Sequence, residues 1–156
     1  VYLYERTDAL GPAYFADRVE SVDSREDVFA CVRRLGGASA CVVGPVIAVP
    51  QRGAYVQVVE DGSSEMLLRT TGPGGLLVVS RLAAAGFTAT IGEEVLSLQE
   101  VNGALLGFGV PAGPQAITIS YRPDSVRWGL WVSGASLMLW LFAVGRFRFA
   151  DGPRPQ

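Results

Sequence analysis

Two pairs of adjacent carboxylates and two cysteines are the residues of this chain whose types could carry chemistry. The pairs are Glu60-Asp61 and Glu93-Glu94, and the cysteines are Cys31 and Cys41. Two carboxyl groups roughly 5–10 Å apart across a cleft can hydrolyse a glycosidic bond. Neighbouring residues in a strand, however, point to opposite faces, and neighbours in a turn point into water. We therefore do not assign either pair as a catalytic dyad.

The basic residues exclude most other common mechanisms. The 156-residue chain has no histidine, and all 13 of its basic residues are arginines. Catalysis by Ser-His-Asp or Cys-His groups, histidine-ligated metals, Schiff-base lysines and the lysine of a phosphate-binding loop are thereby excluded. The run Gly72–Gly75 is consequently predicted to be a turn. With a net charge of −2, the chain has no basic surface for a nucleic-acid partner. We predict no catalytic residue, no metal and no cofactor.

The two cysteines allow two interpretations. Cys31 and Cys41 lie ten positions apart, which permits a disulfide if the domain faces an oxidising compartment. The alternative is a pair of small buried thiols, and the sequence does not decide between them.

Short segments rich in Val, Ile, Leu, Thr and Tyr recur up to Tyr121, separated by Gly, Pro, Asp and Asn. One helix is predicted over residues 24–35, with Ser24 as its N-cap, Val28, Phe29, Val32 and Leu35 on one face, and Gly36 after its end. Gly92-Glu93 and Asn102-Gly103 are predicted hairpin turns. The pattern indicates a mainly β protein, an antiparallel, jelly-roll-like β-sandwich with one short helix. The predicted strands are 2–5, 13–20, 41–48, 54–60, 65–70, 75–80, 86–91, 94–99, 104–110 and 115–121.

The C-terminal region has a different character. Residues 128–145 contain no charge, and as a helix they would span about 27 Å, enough to cross the core of a bilayer. Arginines lie on both sides of this segment, two before it and three after it, and tryptophans lie near its ends. We expect a β-domain over 1–125, a transmembrane helix over 126–149 and a cytoplasmic tail over 150–156. A buried helix of a soluble domain is the alternative. Because the chain opens on Val1 without a basic, apolar leader, we also expect it to be a fragment of a longer protein.

Several segments, in this order, resemble the C-terminal region of the YfhO-type bacterial membrane proteins. The resemblance covers nearly the whole chain, including the predicted helix and the apolar C-terminal segment. The aromatic cluster of that family is reduced to Phe87 in this chain. The segments that carry the resemblance are Asp8–Phe15, Glu26–Leu35, Gly74–Ser80, Gly86–Gly92, Val101–Ala104, Val110–Gly113 and Ile119–Ser125.

The resemblance implies an extracytoplasmic β-domain and the last transmembrane helix of a polytopic, lipid-sugar-dependent glycosyltransferase-like protein. Its location would be the bacterial cell membrane, and its task would lie in glycosylation of cell-envelope polymers. The catalytic acid of such a protein would belong to the missing membrane body. The implied partners are the lipid bilayer, that membrane body, and a cell-envelope glycan or polyprenyl-phosphate sugar.

Three residues are candidates for ligand contact, namely Phe87, Asn102 and Arg122. Each has a structural alternative, since Phe87 could belong to the core, Asn102 could form a turn, and Arg122 could lie at the level of lipid headgroups.

Three functional hypotheses follow from these observations. The first is a non-catalytic accessory domain of the glycosyltransferase-like protein. The second is a stand-alone, membrane-anchored carbohydrate-binding or adhesion module. The third is a soluble interaction domain whose last helix is buried in its core.

Overall fold

The computed structural model of the chain describes residues 10–150, with side chains at all of these positions except 127 and 143–150. The chain divides into two compact units, Val1–Tyr121 and Arg122–Gln156. The predicted strand at 2–5 and the predicted tail at 151–156 lie outside the described residues.

The first unit is mainly β, as predicted, and contains one helix among its described residues. The helix, α1, is Arg25–Leu35. The strands are β1 (Ala13–Phe15), β2 (Arg18–Val22), β3 (Ser39–Val43), β4 (Tyr55–Asp61), β5 (Glu65–Thr71), β6 (Gly75–Leu82), β7 (Phe87–Ile91), β8 (Glu94–Val95), β9 (Leu98–Val101), β10 (Leu105–Val110) and β11 (Gln115–Tyr121).

Two antiparallel sheets form the body of this unit. One has the strand order β1-β6-β10-β9, and the other has the order β4-β5-β11-β7-β8. Their facing side chains share one buried cluster, to which Leu77 and Phe108 contribute from the first sheet and Leu68 and Ile117 from the second. This is the arrangement of a β-sandwich, in which alternate residues of each strand point into the core. A jelly-roll-like relationship of the strands stays a prediction.

A third layer covers the outer face of the four-stranded sheet. β2 and β3 pair in parallel and are connected through α1. Ala40 and Val42 of β3 pack against Leu76 and Val78 of β6. Both faces of β6 are therefore covered, which explains why Gly75–Val79 is an uninterrupted buried run rather than an alternating one. The sequence pattern indicated antiparallel pairing, and this parallel β-α-β unit was not predicted from it.

The predicted helix is confirmed, together with its N-cap and the glycine that ends it. The hydroxyl of Ser24 accepts a hydrogen bond from the Asp27 amide, and Gly36 follows the last turn with a φ of 61°. Val28 and Cys31 are buried against β3. Phe29, predicted on the buried face, is instead 58 % exposed. It lies about 100° around the helix from Val28, at the edge of the apolar stripe.

Both predicted hairpin turns are present. Ile91 pairs with Glu94 across Gly92-Glu93, and Val101 pairs with Leu105 across the turn that holds Asn102-Gly103. Gly92, Asn102 and Gly103 all adopt positive φ, the conformation that such tight turns require.

Three predicted strands end or divide differently, two of them because the chain changes layers within them. The segment 13–20 forms β1 in the four-stranded sheet and then β2 in the parallel pair. The segment 94–99 similarly passes from β8 in one sheet to β9 in the other. The segment predicted as 41–48 is strand only to Val43, after which Gly44 adopts a φ of 85° and Pro45 follows, so that pairing with β2 stops.

The second unit contains helix α2, Asp124–Ala150. Every described side chain from Val126 to Phe142 is exposed. Across the part of the chain with described side chains, which in α2 reaches Phe142, no helix combines the length and the hydropathy needed to cross a membrane.

Candidate functional site

Asn102 joins the four-stranded sheet to the β2-α1-β3 layer that covers its outer face. Its Oδ1 accepts a hydrogen bond from the Cys41 amide at 2.8 Å, and its Nδ2 donates to the Ser39 carbonyl at 3.1 Å. Its own amide donates to the Cys41 carbonyl at 2.8 Å. These bonds tie β3 to the β9–β10 turn. The left-handed backbone of Asn102, with φ of 56°, places the side chain beside β3, and asparagine is among the few non-glycine residues that tolerate it.

Tyr14 of β1 completes this connection. Its hydroxyl lies 3.5 Å from the Nδ2 of Asn102. Burial raises the pKa of the Tyr14 hydroxyl above its usual value, because a buried phenolate loses its hydration, and the hydrogen bond from Asn102 offsets part of that effect. Asn102 thus has the turn-forming role that was its structural alternative, and its amide groups are engaged with the protein itself.

A disulfide joins Cys31 of α1 to Cys41 of β3, so the structure selects the first of the two interpretations of these cysteines. Both residues are buried, with Val28 between helix and strand beside them. The disulfide fastens the helix to the strand that covers β6.

A cleft of about 290 Å³ opens beside the disulfide, where α1, β3 and β9 meet. One side is polar, since Arg25 pairs with Glu100 at 3.1 Å and donates to the Gly103 carbonyl at 3.3 Å. Gln99 donates from its Nε2 to the Pro45 carbonyl at 3.0 Å, and its buried Oε1 has no hydrogen-bond partner within the described residues. The apolar side is formed by Val28, Cys41 and Val43.

A second cavity of about 420 Å³ lies where α1 ends. It is lined by Asp17, Arg18, Arg52 and the Leu35–Ser39 segment. Among the described lining residues two arginines face one carboxylate, and this balance would favour an anionic ligand.

Phe87 packs at the edge of the sandwich core. It is half-buried against the cluster shared by the two sheets. It pairs with Tyr121 across β7 and β11, and the two ring centroids are 4.5 Å apart. This is the structural role that was its alternative, and the Phe87 ring contacts core residues rather than the cleft.

Arg122 is the first residue of the second unit, and it is exposed. Phe87 and Asn102 lie in different layers of the first unit, so the structure does not bring these two predicted site residues into one site.

The adjacent carboxylates have separate environments. Asp61 pairs with Arg81 at 2.5 Å, and Glu93 and Glu94 are exposed at the β7–β8 turn. Within residues 10–150, no group of three or more cysteine and carboxylate side chains could hold a metal ion.

The polar residues that line the cleft were not singled out from the sequence. Arg25, Gln99 and Glu100 read as ordinary surface residues, because the cleft arises only when the β-α-β unit covers the sheet.

Comparison of the chain with protein-family models, with curated proteins and with solved structures returned no match.

Proposed function

We propose that the chain is a membrane-anchored, extracytoplasmic accessory domain of a glycosyltransferase-like protein that acts on cell-envelope glycans. The β-unit would support or position the glycan or its lipid-linked sugar donor, without catalysing transfer. The helix over 126–149 would cross the membrane and leave the last residues in the cytoplasm.

The exposed apolar surface of α2 carries this proposal. Eleven large apolar side chains are exposed between Val126 and Phe142. Leu137–Phe142 are six consecutive apolar residues, and at 100° per residue they surround the helix on all sides. A helix that is apolar all round is typical of a protein interior or a membrane. In the sequence the uncharged stretch continues to Gly145, and arginines follow it at 146 and 148.

The disulfide supports the extracytoplasmic side for the β-unit. Disulfides persist in oxidising compartments, and they are rare where cytosolic reductants keep thiols reduced. The Cys31–Cys41 bond therefore favours a β-unit outside the cytoplasm.

The accessory role rests on the residue types and on the resemblance to the YfhO-type proteins. A chain without histidine or lysine lacks the most common general base and the amine that forms Schiff bases. The partners of this role would be the bilayer, the membrane body of the same protein, and a cell-envelope glycan or polyprenyl-phosphate sugar.

Membrane fractionation tests the anchor. Leu137→Arg together with Leu141→Arg adds two charges to the apolar helix, each costing about 2.5–3.5 kcal/mol at the centre of a bilayer. We expect the full chain, expressed in bacteria, to stay in the membrane pellet after alkaline carbonate washing, and the double variant to be released.

The matched control is Leu82→Arg with Val95→Arg, which adds the same charge at exposed apolar positions of the β-unit. This variant should stay in the pellet. Release of the wild-type chain by carbonate, or equal behaviour of the two double variants, would contradict the anchor. Labelling of Ser63→Cys in intact spheroplasts by a membrane-impermeant maleimide then tests the side on which the β-unit lies.

The stand-alone carbohydrate-binding or adhesion module is the second candidate, and the cleft beside the disulfide favours keeping it. An antibody against the β-unit distinguishes the two candidates by the size of the native protein. A product well above 16.6 kDa, with a multi-helix membrane body, supports the accessory domain. A product of a single anchored domain supports the module.

A further inference from the structure

We propose that the cleft beside the Cys31–Cys41 disulfide binds one neutral sugar unit of a glycan. This inference deepens the proposed function and rests on it for the source of the sugar. The volume, about 290 Å³, is at the low end of the roughly 300–1,000 Å³ typical of small-molecule sites, which suits a single ring rather than an oligosaccharide.

The charges of the cleft favour a neutral ligand. Among the described residues that line it, Arg25 is the one cation and Glu100 the one anion, and the two are 3.1 Å apart. A phosphate would have to displace Glu100 from Arg25 or lie beside its carboxylate, which repels it. The cavity lined by Arg18 and Arg52 is the better place for an anion.

The polar groups of the cleft suit hydroxyls. A hydroxyl both donates and accepts, so it pairs with a carboxylate, an amide or a guanidinium. The Arg25–Glu100 pair offers donors and acceptors side by side. Gln99 also lines the cleft, and an amide side chain is a further group that can pair with a hydroxyl.

Apolar groups face the same cleft and its rim. Val28 and Val43 line it, and the exposed ring of Phe29 lies against Gly103, within about 3.6 Å of where a Cβ would stand. Because Gly103 has no side chain, this space stays open. The ring carbons of a sugar could pack on Phe29 and the valines while its hydroxyls reach the polar side, which is the mixed lining that ligand sites use.

The test is saturation-transfer NMR on the full chain in detergent micelles. The probes are the methyl glycosides of glucose, galactose, mannose and N-acetylglucosamine, with glycerol phosphate as the anionic comparison. We expect saturable transfer from at least one glycoside and no competition by glycerol phosphate. Arg25→Met and Phe29→Ala should each weaken the affinity about tenfold, the effect of losing one good interaction.

Glu100→Gln is the most informative variant because it leaves Arg25 without its anionic partner. We expect it to weaken glycoside binding about tenfold and to create binding of glycerol phosphate. Arg52→Met, in the second cavity, and Leu82→Ala, at an exposed apolar position, are the matched controls and should leave glycoside binding unchanged. Val43→Trp, which fills the cleft, should abolish binding, and thermal unfolding checks that each variant is folded.

The inference fails if no glycoside shows saturable transfer, if binding is the same in folded cleft variants as in the controls, or if glycerol phosphate binds the wild-type chain in preference to the glycosides. None of these results affects membrane retention by residues 128–145. Loss of the anchor, conversely, would remove the proposed function while leaving the measured sugar affinity in place.

Discussion

Two apolar runs of this chain have opposite environments. In β6, Leu76–Val79 are fully buried, whereas in α2 the side chains from Trp128 to Phe142 are all exposed. Leu77 is 0 % exposed and Leu139 is 70 % exposed. β6 is covered on one face by the second sheet and on the other by β3.

The difference shows that an apolar run must pack against other apolar groups. One face of β6 packs on the second sheet, and the other packs on the β2-α1-β3 layer, which we call the cover of β6. The disulfide and Asn102 hold that cover in place, since both attach β3 to its neighbours. We propose that the exposed apolar side chains of α2 are surrounded by lipid instead. The predictions below test these two environments and the attachments of the cover, from the largest expected effect to the smallest.

Leu77→Ala and Leu139→Ala make the same change in the two runs. Leu77→Ala should lower the free energy of unfolding of the β-unit by about 2–5 kcal/mol, because it leaves a cavity between the sheets. Leu139→Ala should change it by less than about 0.5 kcal/mol. Urea unfolding of the full chain in micelles, followed by circular dichroism, measures both. Similar losses in the two variants would mean that the environments of the two runs do not differ as described.

Replacing both Cys31 and Cys41 by alanine tests the covalent attachment of the cover. Closing a loop of about ten residues stabilises a fold by roughly 2–4 kcal/mol, so we expect the double variant to lose stability by that amount. Hydrogen exchange should rise first in α1 and β3, and later in the sandwich. If exchange rose equally in β5 and β11, the disulfide would support the whole unit rather than its cover.

Asn102→Ala tests the hydrogen-bonded attachment. It leaves the Cys41 amide and the Ser39 carbonyl without their side-chain partners, and we expect a loss of about 1–3 kcal/mol in the free energy of unfolding. Asn102→Gly loses the same hydrogen bonds but tolerates the positive φ, so it should be the milder of the two. Gln115→Ala, which removes an exposed side-chain hydrogen bond, is the control. An Asn102→Ala variant as stable as Gln115→Ala would show that these hydrogen bonds do not contribute to the free energy of unfolding.

Removing the Tyr14 hydroxyl should have the smallest effect on stability, and this effect depends on pH. Because the pKa of the Tyr14 hydroxyl is raised in the folded chain, the folded state holds the proton more tightly than the unfolded state. Its contribution to stability is therefore fully present below the ordinary tyrosine pKa of 10.0 and is lost as the pH rises through the folded pKa. Tyr14→Phe should reduce the loss of stability above pH 10, whereas Tyr55→Phe, at an exposed position, should not. Identical alkaline unfolding of the wild type and Tyr14→Phe would contradict this assignment.

Local signals were enough to predict several elements. Ser24 and Gly36 mark the two ends of α1, and both could be predicted because a side-chain cap and a positive φ are local requirements. The alternation in Gln115–Tyr121 identified β11 because one face of that strand is buried and the other is not. Non-local features were not accessible in this way. The breaks at Ala16-Asp17 and Leu96-Ser97, where the chain changes sheets, leave no composition signal. The cleft, in turn, depends on β9 meeting α1 and β3, which lie much earlier in the chain.

The sequence by itself determined the mainly β character, the helix with its cap, both hairpin turns, the exclusion of histidine and lysine chemistry, and the uncharged C-terminal stretch. Each of these depends on residue types or on neighbours within a few positions. The tertiary structure alone decided that Cys31 and Cys41 are bonded, that β2 and β3 are parallel, that Asn102 joins the four-stranded sheet to β3, and that Arg25 faces Glu100. These features require segments as many as 88 positions apart, such as Tyr14 and Asn102, to meet in space, and the packing that brings them together is a property of the folded chain as a whole.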